Sequence, residues 1–132
     1  MNERLLKRAV ELAGQVEHAL LTSADADGVP HLATVGRVRP GGPGEVLADE
    51  WFCPRTVENV RQNPRVSLVI WRPAANEGFQ LLGSVEGVTE LAMLDGGPTP
   101  MDRQVPQVER ELRIRITDVL HFRHGPHTDA PE

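Results

Sequence analysis

Pro54-Arg55-Thr56-Val57-Glu58-Asn59-Val60-Arg61-Gln62-Asn63-Pro64 is the stretch on which the fold of this chain turns. Val57 and Val60 fall on one face of a helix with Arg61 on another, and Pro64 cannot continue it, which predicts roughly two helical turns lying over a sheet. The start of such a helix carries N–H groups without intrahelical partners. Thr56 adds a hydroxyl of good N-cap type and Arg55 a guanidinium that can grip anion oxygens as a fork, so the segment reads as a candidate phosphate anchor.

Outward from it, both flanks read as strands. Glu45 to Trp51 enters the helix, and Arg65-Val-Ser-Leu-Val-Ile-Trp-Arg72 leaves it as a strongly β-prone run. Upstream, His18 to Ala24 and Val29 to Val38 are strands about a hairpin turn at Asp25-Ala-Asp-Gly28, and Arg39 to Gly44 is a second turn. The acidic first turn lacks the rest of a calcium-loop pattern and is read as a turn. Before these, Leu5, Leu6, Ala9, Val10, Leu12, Ala13 and Val16 repeat at helical spacing, with Gly14 as a candidate helix end.

Downstream, Pro73 to Glu77 is a loop and residues 78–91 form a long strand, in which Gly83 and Gly87 predict bends or bulges. Residues 95–106, punctuated by Gly and Pro, predict an exposed excursion. Glu111 to Arg123 alternates into a last strand with Leu112, Ile114, Ile116 and Val119 inward and a slip of phase near Asp118. The tail 124–132 is expected to be flexible. The sum is mainly β: a six-stranded antiparallel split β-barrel of Greek-key type with about two short flanking helices.

At 132 residues the chain is expected to form one domain, with its core at about 10–123. With 39% hydrophobic residues and 25% charged, it has a globular rather than a disordered composition. A net charge of −5 with scattered arginines argues against a nucleic-acid partner. The apolar runs are too short for a membrane helix, and Asn-Glu-Arg after Met1 does not lead into a secretory signal. A single cysteine, Cys53, fits a reducing cytoplasm.

The order of parts resembles the FMN-binding split barrels of the pyridoxamine 5'-phosphate oxidase-like superfamily, and especially its small FMN-binding proteins, over roughly residues 10 to 92. Two segments carry the resemblance: the strand-turn-strand Leu20 to Thr34, and Arg55-Thr-Val-Glu-Asn-Val-Arg-Gln-Asn-Pro-Arg-Val-Ser-Leu-Val69. The resemblance implies that Arg55 and Thr56 bind the FMN phosphate, that Ala33, Thr34, Val35 and Gly36 lie along the flavin, and that Ala48, Asp49, Glu50 and Trp51 flank ring and phosphate. It further implies a cytoplasmic homodimer with noncovalent flavin at the subunit interface, acting as an oxidoreductase. A non-catalytic electron carrier, a deazaflavin binder and a cofactor-less dimeric module stay open as alternatives. The family's C-terminal Arg-x-His substrate motif has no convincing match in Phe122-Arg123-His124, so oxidation of pyridoxamine phosphate itself is not predicted.

Cys53, just before the helix, could have its thiol pKa lowered by the helix and Arg55, but it reads first as a small hydrophobe. His121, His124 and His127 are spaced like metal ligands without a cluster to fix them, and His31 reads as a packing residue beside the flavin wall. Trp71 is assigned to packing, while Trp51 remains between packing and ring stacking.

Overall fold

Asn2 starts the first helix, α1 (Glu3–Val16), by accepting the Leu5 N–H on its side-chain oxygen at 3.1 Å. The helix runs through Gly14 and ends where Glu17 takes a left-handed conformation, φ 61°. Its apolar stripe of Leu5, Leu6, Ala9, Leu12 and Ala13 is buried. The computed structural model describes residues 1–94 and 107–125, so the expected excursion at 95–106, most of the expected tail and His127 lie outside the described residues.

Seven strands follow, not six: β1 (Ala19–Ala24), β2 (Pro30–Val35), β3 (Arg37–Pro40), β4 (Glu45–Glu50), β5 (Arg65–Arg72), β6 (Glu77–Leu94) and β7 (Gln107–Phe122), with α2 (Pro54–Gln62) between β4 and β5. All pairings are antiparallel, in the order β2-β1-β5-β6-β7-β4-β3. The extra strand arises at Gly36, where the expected single run of residues 29–38 divides. β2 pairs with β1 at one edge of the sheet, whereas β3 pairs with β4 at the other. One residue thus joins the two edges, and the sheet must curl until they meet. The Gly36 N–H donates to the Asp49 carbonyl at 3.1 Å across that junction.

The curled sheet encloses the core. Leu21, Val35, Val46, Leu68, Ile70, Phe79, Leu81, Leu112, Ile114 and Val119 are almost wholly removed from water, and Ile116 is also buried. The inward set expected on the last strand is therefore the observed one. Its phase slip is a bulge: Leu82 pairs with Asp118 but Gly83 with Ile116, leaving Thr117 as the extra residue. A second shift, between Val85 and Gly87, leaves Glu86 extra on β6. A side chain at Gly83 would stand 2.2 Å from the Arg115 carbonyl oxygen, so this strand crossing requires glycine.

The turn between β1 and β2 is held by Asp25, whose Oδ1 accepts the N–H groups of Asp27 and Val29, both at 2.9 Å, while Gly28 takes φ 84°. The acidic turn is a turn, as read. At the C-terminal end His124 exchanges two hydrogen bonds with the Asn76 side chain, of 2.7 and 3.2 Å. His121 lies parallel to Phe79 at 4.6 Å and reaches Glu77, and Trp71 stacks on Phe122 at 5.5 Å. No helix among the described residues is long and apolar enough to cross a membrane.

Candidate functional site

Helix α2 begins three residues earlier than an N-cap at Thr56 would place it. Cys53 occupies the N-cap with extended backbone and no side-chain capping bond, Pro54 is the first helical residue, and Thr56 the third. The first backbone hydrogen bond of the helix is Val57 N–H to the Cys53 carbonyl. Pro54 has no N–H, and the amides of Arg55 and Thr56, which have no partners within the helix, turn onto the Cys53 sulfur.

The Thr56 side chain is completely buried. Its Oγ1 lies 3.2 Å from His31 Nε2 and 3.5 Å from Cys53 Sγ, and Sγ stands 3.6 Å from the same ring nitrogen. His31, on β2, thereby docks that strand against the start of α2. Burial pushes the Cys53 thiol pKa up, but the Thr56 hydroxyl and the backbone N–H groups of Thr56 and Arg55 outweigh it, and the net shift is downward. The Arg55 side chain is exposed and has no hydrogen bond or ion pair among the described residues. It borders a cleft of about 430 Å³ whose walls include Asp25, Pro30, His31, Glu58 and Asn59. Asn59 is buried and donates to Ser23 Oγ at 3.2 Å, fixing α2 to β1.

The second wall is the junction of β2 with β4. Ala33 is half-buried, Thr34 exposed, and Val35 and Ala48 belong to the core, so these last two offer backbone rather than side chain. Asp49 is only 4% exposed. Its Oδ2 accepts two N–H groups of Arg37, at 2.9 and 2.6 Å, and lies 3.4 Å from Arg39. Arg39 also bonds Glu111. Glu50 folds back on its own strand, accepting the Trp51 N–H at 2.8 Å. Arg110 donates to the Phe52 carbonyl at 3.2 Å and ties the segment before α2 to β7. Arg37 and Arg39 were absent from the sequence reading of the site. Their pairing with Asp49 depends on the register of β3 on β4, in which Arg37 faces Asp49.

These residues bear on an anionic, ring-bearing ligand such as FMN. A guanidinium without a partner among the described residues, placed at a helix start, is a phosphate donor. The two carboxylates on β4 do not cancel it, since Asp49 is neutralised by arginine and Glu50 turns onto backbone. Asp49 Oδ1 is buried and has no partner among the described residues. The donor set fits the group.

A family model described as pyridoxamine 5'-phosphate oxidase matches residues 5–121. No curated protein matches the chain significantly. Among solved structures, HupZ from Group A Streptococcus is similar with a TM-score of 0.65 at 13% identity, over 94% of this chain and 97% of that one. An FMN-binding protein from Syntrophomonas wolfei has a TM-score of 0.63 at 14% identity, over 92% of this chain and 88% of its own. An F420 reductase has a TM-score of 0.55 at 16% identity, over 81% and 94%. At these identities the likeness is one of fold.

Proposed function

Because the chain belongs to the pyridoxamine 5'-phosphate oxidase family, we propose that it is a noncovalent flavoprotein that binds FMN at the β2–β4–α2 junction and acts as an oxidoreductase. The observation that carries the reading is the start of α2, where an exposed Arg55 side chain without a partner among the described residues stands beside β2, which His31 joins to the helix. FMN, when bound, supplies hydride or electron transfer.

The chain's own residues bind and orient. Arg55, at the start of α2, holds the phosphate, the backbone of Ala33, Thr34, Val35 and Gly36 borders the ring, and Asp49 and Glu50 with Ala48 and Trp51 close the other side. Arg37 keeps Asp49 compensated, so that the buried carboxylate does not stand beside the site as an uncompensated charge. A homodimer with the site at its interface, in the cytoplasm, completes this reading. Pyridoxamine phosphate is not proposed as substrate.

The test is the visible absorption spectrum of the purified protein before and after addition of FMN and gel filtration. Flavin bands that travel with the protein support the reading, and a protein that retains no FMN overturns it. Arg55→Ala should weaken FMN binding by about 1.5–3 kcal/mol, the range for hydrogen bonds to charged groups, with an unchanged circular dichroism spectrum. The F420 reductase among the similar folds favours a second reading, a deazaflavin in the same groove. The same titration with a deazaflavin separates the two.

A further inference from the structure

Polar side chains fill the seam between α2 and the β1–β2 pair. Thr56 and Asn59 stand three residues apart on the helix and so share one face. Ser23 and His31 stand directly opposite each other on β1 and β2. The helix pair meets the strand pair: Thr56 Oγ1 lies 3.2 Å from His31 Nε2, and Asn59 donates to Ser23 Oγ, also at 3.2 Å. Thr56, Asn59 and Ser23 are buried and His31 is half-buried. Polar groups buried with their partners fix one arrangement of the elements they join, where apolar packing alone would let them slide.

The His31 contact holds the outer half of this clamp. β2 is an edge strand that pairs in the sheet with β1 alone. Among the described residues, the contact of His31 with Thr56 is the only hydrogen bond between β2 and α2. A hydroxyl can donate to a neutral imidazole or accept from a cationic one, so the contact persists in either state of the ring.

We propose that His31 is a positioning residue of the flavin site: by latching β2 to the start of α2, it sets the separation between the backbone of residues 33–36 and the guanidinium of Arg55. The inference rests on the proposed cofactor site, in which those two surfaces receive ring and phosphate. A ligand that spans both gains from their fixed separation, because its second contact forms without further ordering of the protein. A ligand that touches only one gains nothing. His31 thereby favours FMN over riboflavin, which lacks the phosphate.

The experiment takes two readouts on wild type, His31→Leu and His31→Gln. In flavin-free protein, hydrogen exchange of the β2 amides is expected to quicken at least about tenfold in His31→Leu, while the α2 amides, still tied to Ser23 through Asn59, keep their wild-type rates. His31→Gln, whose side-chain amide can reach the same hydroxyl, is expected to restore slow exchange. In titrations followed by flavin fluorescence, His31→Leu is expected to lower FMN affinity about tenfold and to leave riboflavin affinity unchanged, with His31→Gln close to wild type. Unchanged exchange in His31→Leu overturns the latch, as does faster exchange spread over the whole chain. His31→Gln exchanging as fast as His31→Leu overturns the hydrogen bond as its cause. Equal losses of affinity for the two flavins, or no loss, overturn the positioning role while the cofactor reading stands. Wild-type protein that binds neither flavin overturns the cofactor reading and the positioning role with it, and the exchange rates still decide whether the latch exists.

Discussion

Cys53 shows how a residue acquires properties from its neighbours. Burial raises its pKa, yet the Thr56 hydroxyl and the amides of Thr56 and Arg55 favour the thiolate and prevail, so the folded value lies below the unfolded one. A lowered folded pKa contributes stability that is fully present above the unfolded value and is lost as pH falls through the folded value. Wild type should therefore gain stability relative to Cys53→Ser as pH rises from about 6 to about 9, which spans the ordinary cysteine range. Urea unfolding of both proteins across that interval measures it, and parallel pH profiles would reject the thiolate contacts. The helix that brings these groups together was legible in the sequence because Pro54, the valine spacing and Asn63-Pro64 are local signals. The burial of Thr56 beneath His31 was not, since it depends on β2 passing over the start of α2. The compensation of Asp49 by Arg37 was hidden for the same reason: two residues 12 apart become partners only through a hairpin register.

At the scale of elements, glycines decide where strands can run. Gly83 lets β6 cross β7 at a bulge, and a Cβ there would fall 2.2 Å from a backbone oxygen that cannot swing away. Gly83→Ala should cost roughly 3 kcal/mol, the upper part of the overpacking range, read as a drop in the urea midpoint at constant slope. Gly14 is the opposite case, an exposed helical residue with nothing within 4 Å of its added methyl. Gly14→Ala should stabilise by about 0.5–1 kcal/mol, because alanine limits the unfolded chain and suits the helix. The bulge could be read from the sequence, since glycine in a long β-prone run has few other uses. The helix end at Gly14 was misplaced, because the left-handed cap is supplied by Glu17 instead. The division of residues 29–38 was missed as well. Both halves have strand composition, and only the closure of the sheet assigns them to opposite edges.

For the whole molecule, closure leaves β2 as the strand that faces outward beside the candidate site. Its outer positions include Leu32, 57% exposed, and Val29 just before it is 55% exposed. An edge strand with unpaired backbone and large exposed apolar side chains is a surface that proteins ordinarily cover. Covering it with the second copy of a homodimer would place the partner against Ala33, Thr34 and Val35, the backbone proposed to border the flavin. Dimerisation and cofactor retention should then be coupled, since each copy would complete the other's groove. Leu32→Asp places a charge at this edge without touching the core. It should shift the sedimentation coefficient from that of a dimer toward that of one chain, and lower FMN retention in parallel, although Arg55 and α2 are intact. A variant that stays dimeric and retains its flavin would place the interface on another face. One that becomes monomeric yet binds FMN at wild-type affinity would confine the cofactor site to a single chain.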